Sequence, residues 1–231
     1  MGHSRKDEIA RLKQERREAK IAKKRKENVR EKHVRFLIVC EGEKTEPFYF
    51  ESLIENNIST VREVHIEGQG KSTVALVNET LMIKEDLERK NAMTFDRVWA
   101  VFDKDDFEDF NKAIMTANKK GVQTAWTNEA FELWYYLHFE FLDTGIGRSA
   151  YIEKLEEFFR KKTGDDNFKY EKKNPKIYQL LHKYGKEDLA KRFAKRLRDY
   201  YHDTNYALHK PCTMVDKLVV ELENPEKMLS I

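Results

Sequence analysis

Cysteine is nearly absent: Cys40 and Cys212 are the only two in 231 residues. That excludes a disulfide framework and a C-x-x-C zinc site. Cys40 closes an apolar run and reads as a small core residue rather than a reactive thiol. No apolar stretch is long enough for a membrane span, and the N-terminus lacks the apolar centre of a signal peptide. Met1-Gly2 resembles an acylation start, but Lys6 stands where Ser or Thr is needed. The expectation is a soluble cytoplasmic protein with no membrane partner. A complete nucleotide loop is missing too. Gly68-Gln69-Gly70-Lys71-Ser72-Thr73 has only the second half of G-x-x-x-x-G-K-[ST]. This argues against ATP, whereas Lys71 and Ser72 at a helix start can still meet one phosphate of a nucleic acid. No internal repeat is evident, and no tyrosine stands out as a strand-transfer nucleophile.

Charge is abundant but unevenly placed. Residues 1–35 hold 14 of the 44 Lys and Arg but only 6 of the 41 Asp and Glu, leaving 30 against 35 in the rest. A basic arm therefore precedes a mildly acidic body. Residues 1–33 are rich in helix formers, with Glu and Lys or Arg four apart, and have almost nothing apolar to bury. They read as a helical arm, either solvated or docked on a phosphate backbone or protein partner. Basic residues recur late in the chain, from Arg160-Lys161-Lys162 through Lys172, Lys173 and Lys176 to Arg198. Acids are interleaved, so solvated helix faces and a nucleic-acid surface both remain open there.

The body begins with Arg35-Phe36-Leu37-Ile38-Val39-Cys40-Glu41-Gly42-Glu43-Lys44. A continuous apolar run that meets a carboxylate and a glycine predicts a strand buried on both faces, then a tight turn into a helix. Arg97-Val98-Trp99-Ala100-Val101-Phe102-Asp103-Lys104-Asp105 repeats the pattern and ends in D-x-D. Further strands are expected over 61–67 and 122–126, with helices over 47–54, 74–89 and 108–119. Regular βα alternation predicts an α/β fold, a parallel sheet with helices on both faces, over residues 34–142. Residues 143–231 read as a helical C-terminal subdomain packed on that core. Thr127-Asn128 looks like an N-cap for a helix over 129–139.

If the two acid-ending strands lie side by side, Glu41, Asp103 and Asp105 meet at the carboxyl edge of the sheet, where such folds place ligands. A lone D-x-D is common in turns. Two acid motifs that each close an apolar strand favour a shared cation, with Mg²⁺ or Mn²⁺ as the hard partner of carboxylate oxygens. Glu132 sits inside an otherwise apolar aromatic run at the same edge, and a purely solvated role is less natural for it. Lys44 is placed to meet a phosphate oxygen. His138 reads as a packed histidine.

Ile38-Val39-Cys40-Glu41-Gly42-Glu43-Lys44-Thr45-Glu46-Pro47 with Tyr49-Phe50 resembles the signature of the RloB-like family. Asn128-Glu129-Ala130-Phe131-Glu132-Leu133-Trp134, followed by Leu137-His138-Phe139, resembles its second block, with Glu129 in place of the usual Pro. Pro211-Cys212-Thr213-Met214-Val215 is similar to its last block, with departures at Lys210 and Cys212. The resemblance covers roughly residues 34–222 and implies a Toprim-like fold. It also implies an antiphage, abortive-infection setting of the AbiL type, encoded beside an ABC/SMC-like ATPase. In Toprim domains a Glu follows the first strand and a D-x-D follows a later one, places held here by Glu41 and by Asp103 and Asp105. The expected activity is Mg²⁺-dependent phosphodiester hydrolysis on DNA or RNA. Glu41, Asp103 and Asp105 would hold the metal, Glu132 and Lys44 would assist, and Lys44, Lys71 and Ser72 would contact nucleic acid. The alternative is a non-catalytic nucleic-acid-binding or regulatory partner of the ATPase. Self-association stays open.

Overall fold

The structure is a computed structural model that describes residues 14, 16–18, 34–56, 62–70, 73–104 and 108–230. The chain divides into two compact units, Met1–His33 and Val34–Ile231. In the first, residues 14 and 16–18 are helical, and Gln14 Nε2 donates to Glu18 Oε1 at 3.2 Å. The rest of the expected basic arm lies outside the described residues.

In the second unit, four strands form one sheet: β1 (Val34–Cys40), β2 (Arg62–Gly68), β3 (Arg97–Lys104) and β4 (Gln123–Asn128). The order is β2-β1-β3-β4 and every pairing is parallel. Helices α1 (Thr45–Asn56), α2 (Thr73–Asn91) and α3 (Phe110–Lys119) link successive strands. The α/β class expected for a Toprim-like fold is the one found.

The apolar run of β1 follows from its central place. Phe36, Ile38 and Cys40 point into one core with Trp99, Val101 and Ala125, against Tyr49, Phe50 and Leu53 of α1. Leu37 and Val39 point into the other with Val98, Ala100 and Phe102, against Leu76 and Val77 of α2 and Phe110 and Ile114 of α3. From Phe36 to Cys40 the strand is covered on both faces, which leaves no position there for a polar side chain. Each such burial contributes about 2 kcal/mol relative to exposure.

Connectivity decides where a ligand can sit. From β1 the chain turns through α1 to β2 on one side. From β3 it turns through α3 to β4 on the other. β1 and β3 are hydrogen-bonded neighbours, with Cys40 opposite Val101. The crevice beyond their carboxyl ends is the topological switch point of the sheet.

Beyond β4 come α4 (Glu132–Leu137), α5 (Arg148–Thr163), α6 (Ile177–Tyr184), α7 (Glu187–Arg198) and α8 (Val215–Glu223). Their apolar faces join the first core through Trp134, Tyr151, Phe159, Leu181, Leu197 and Leu218. The outer edge of β4 is closed by the chain before α8. Thr127 and Thr213 form an antiparallel bridge, Asn128 N–H donates to Cys212 O at 2.9 Å, and Met214 N–H to Trp126 O at 2.8 Å. Among the described residues no helix is long and apolar enough to cross a membrane.

One local expectation is corrected. Thr127 and Asn128 do not cap a helix. Both belong to β4, and the Asn128 side-chain amide donates to the carbonyls of Tyr206 and Ala207 at 3.4 and 3.0 Å. Glu129 then turns through φ +78°, so α4 starts only at Glu132. The edge pairing with residues 212–214 extends the strand into what looks locally like a cap.

That edge cover rests on Arg198, whose guanidinium forks onto Asp216 at 2.5 and 2.8 Å and reaches Thr213 O at 2.8 Å. The Asp216 side chain is 7% exposed, so removing the arginine strands a buried carboxylate. Arg198→Ala is expected to lower stability by about 3 kcal/mol in denaturant titration, with much of the loss recovered in Arg198→Met/Asp216→Leu. Equal stability of Arg198→Ala and the parent would contradict this account.

Candidate functional site

Glu41 is the first residue past β1, yet it stays tied to the sheet. Its N–H donates to Val101 O at 2.8 Å, and its Oε2 accepts from Asp103 N–H at 3.0 Å. On the other side, Gln69 N–H donates to Cys40 O at 3.0 Å and Gly70 N–H to Glu41 O at 2.8 Å. Gly70 sits at φ +60°, a region open to glycine without strain. The Glu41 carboxylate is thus held where the ends of β1 and β3 meet.

Gly42 makes room for a second acid. A Cβ on Gly42 would lie 2.0 Å from Glu46 Oε2, so only glycine lets this side chain fold back under the turn. Glu46 lies in the first turn of α1 and is buried, and its Oε2 has no hydrogen-bond partner. Burial pushes its pKa up to about 7, and the charges of Glu132 and Glu41 add to the rise. Its backbone hydrogen bond and Arg148 oppose it.

Asp103 ends the apolar part of β3 and is 7% exposed. Its Oδ2 accepts from Phe131 N–H at 3.0 Å and from Arg148 Nη2 at 3.2 Å, while Oδ1 is buried without a partner. Burial holds its pKa well above the carboxylate range, with Glu46 and Glu132 reinforcing and Arg148 opposing. Glu132 opens α4, is buried, and accepts from the Tyr170 hydroxyl at 3.1 Å. Burial, then the Glu132 charge, raises the Tyr170 phenol well above its ordinary pKa.

These four acids line one cavity of about 200 Å³ together with Arg148 and Lys172. With Arg148 the only guanidinium among those lining groups, the cavity must take up protons or a cation to hold four carboxylates. The donors are hard oxygens, and Asp103 Oδ1 and Glu46 Oε2 are buried without partners. Those features fit a divalent ion such as Mg²⁺ or Mn²⁺. Among the described residues no three His, Cys, Asp or Glu side chains already close around one point. Arg148 instead engages one oxygen of Asp103.

Of the residues singled out in the sequence, Glu41, Asp103 and Glu132 meet in this cavity. Lys44 is exposed on the turn before α1 and is not part of the lining. Asp105, Lys71 and Ser72 lie outside the described residues. His138 is a packed histidine: its Nδ1 is 2.9 Å from Trp134 O, and burial lowers its pKa to about 4. Glu129 pairs its carboxylate with Lys210, and its carbonyl accepts from Arg148 at 3.4 Å. Cys40 is fully buried, which raises its thiol pKa.

Glu46, Arg148 and Tyr170 escaped the sequence reading. Glu46 had a signal, a glycine four residues before an acid at a helix start. Arg148 follows an unpatterned Gly145-Ile146-Gly147 turn, and Tyr170 sits in a charged loop. Neither carries a local mark of its contact.

The family model described as RloB-like protein matches residues 36–222, which include every described residue of the cavity. No curated protein matches the chain, and no solved structure does.

The raised carboxyl pKa values bear on stability. Glu46 keeps its proton up to about 7, against 4.5 for a free side chain, so the folded chain binds more protons across that interval. Stability therefore falls as pH rises through it. In chelator-treated buffer the Glu46 contribution is of the order of 3 kcal/mol, lost between about pH 5 and 8. Glu46→Gln is expected to flatten the denaturation-midpoint profile and to exceed the parent in stability at the alkaline end. Parallel profiles for the two proteins would refute this.

Proposed function

Since the chain belongs to the RloB-like protein family, we propose that it is a Mg²⁺-dependent nuclease. In this reading it serves an antiphage, abortive-infection system and works in the cytoplasm beside an ABC/SMC-like ATPase. The observation that carries the reading is the convergence of Glu41 and Asp103 from neighbouring strand ends on a cavity with two unpartnered carboxylate oxygens. Glu41 and Asp103, with Asp105, would hold Mg²⁺ or Mn²⁺, and Glu132 would complete the set directly or through water. The ion, when bound, neutralises charge building on the phosphate and lowers the pKa of an attacking water.

The chain's own groups have separable tasks. Arg148, within 3.2 Å of Asp103 Oδ2, keeps one acid oriented and brings a positive charge to the cavity wall. Glu46 turns its unpartnered Oε2 to the same cavity and would hold a proton there until a cation displaces it. Tyr170 fixes the Glu132 carboxylate by its hydroxyl bond. Lys44, Lys71 and Ser72 would steady the nucleic-acid strand.

A second reading, a non-catalytic nucleic-acid-binding or regulatory partner of the ATPase, draws on the Arg148–Asp103 ion pair. A cavity neutralised from within needs less from a metal. Oligonucleotide cleavage assays with Mg²⁺ or Mn²⁺, with and without the ATPase, separate the two. The nuclease reading expects Glu41→Ala to lose roughly 100-fold or more of the rate. It also expects Asp103→Ala to weaken Mn²⁺ binding in calorimetry. Cleavage unchanged in both variants would eliminate the assignment. Salt-sensitive binding without any cleavage would favour the second reading.

A further inference from the structure

Resting on the nuclease reading, we infer that residues 169–176 form a basic rail that receives the phosphate backbone of a nucleic acid and lays it across the acidic cavity. The segment reads Lys169-Tyr170-Glu171-Lys172-Lys173-Asn174-Pro175-Lys176, four lysines against one acid. It is held by contacts at several points along its length. Tyr170 N–H donates to Glu156 Oε1 and its hydroxyl to Glu132 Oε1, each at 3.1 Å. Thr45 Oγ1 donates to Lys172 O at 2.8 Å and Ser52 Oγ to Pro175 O at 3.2 Å. Asn174 Oδ1 accepts from Lys176 N–H at 2.9 Å. Thr45 opens α1 and Ser52 lies two turns on, so the rail leaves the cavity and follows that helix.

The ion pairs show which charges remain available. Glu156 takes both Arg160 and Lys169, and Glu157 takes Lys161. Lys44, Lys172, Lys173 and Lys176 are exposed and make no ion pair among the described residues. Lys172 borders the cavity, and Lys173 and Lys176 continue away from it. None of these lysines pairs with the acids inside, where Arg148 is the cation that Asp103 meets. Exposed ammonium groups on an anchored backbone are point charges suited to phosphate oxygens. An acidic peptide would bring carboxylates to a cavity that already holds four. A phosphodiester brings the group that such acids handle through a cation.

The test measures binding of fluorescein-labelled single- and double-stranded oligonucleotides to the full chain in EDTA over a series of KCl concentrations. Lys172→Ala/Lys173→Ala/Lys176→Ala is expected to reduce the salt slope of log K by about 2 to 3 and to weaken binding more than tenfold at about 50 mM salt. Lys112→Ala/Lys119→Ala/Lys120→Ala removes the same charge from exposed positions in and just after α3 and is expected to keep the parental slope. Thermal melts of both triple variants should match the parent, since every substituted side chain is exposed. A parental slope in the rail variant overturns the inference, as does an equal loss in the α3 variant. Loss of polyglutamate binding with oligonucleotide binding intact would also overturn it, by showing an acidic protein partner. Glu41-dependent cleavage with an unchanged rail slope sinks the rail alone. The expected slopes with no Glu41-dependent cleavage sink the nuclease reading alone.

Discussion

The hydrogen bond from Asp103 N–H to the Glu41 carboxylate closes the gap between the ends of β1 and β3, and the rest of the site depends on it. It joins residues 62 apart in sequence. It exists because the two most apolar strands are neighbours at the centre of the sheet, each buried on both faces. Hydrophobic burial chooses the pairing, and the pairing then brings acids together that would repel one another in an open chain. Gly42 continues the logic by clearing the space into which Glu46 folds.

Four acids in a cavity of this size oppose stability as they ionise. The fold limits the cost through one guanidinium, one phenol and a few backbone N–H donors, and it leaves two carboxylate oxygens without partners. Cores are rarely left in that state without a functional reason, because an equally sized apolar residue would pack there at lower free energy. Positive charge collects just outside, on the loop that Tyr170 and Thr45 fasten down. Acid within and base along the rim suit a phosphate that approaches with a cation.

Much of the fold was legible because its signals are local. The apolar runs of β1 and β3, the acids that end them, and the helix pattern between them all lie within short windows, and Glu41, Asp103 and Glu132, which line the cavity, were singled out that way. The missed parts depend on contacts between distant segments. Arg148 meets Asp103 across 45 residues and Tyr170 meets Glu132 across 38, and nothing near either residue announces the partner. The false cap at Thr127-Asn128 has the same origin, since its competitor is an edge pairing with Thr213 far along the chain. Glu46 is the instructive miss. An acid in the first turn of a helix has an ordinary electrostatic use there, and that local explanation hid its burial.

The chain belongs to the RloB-like family and has the α/β architecture, and the cavity is where we propose its chemistry. The central claim is that acids delivered by β1 and β3 share one divalent ion. Anomalous diffraction from crystals soaked in Mn²⁺ tests it most directly. The account predicts a peak within bonding distance of carboxylate oxygens of both Glu41 and Asp103. A well-ordered crystal with no peak there, or with Mn²⁺ bound only elsewhere, would contradict it.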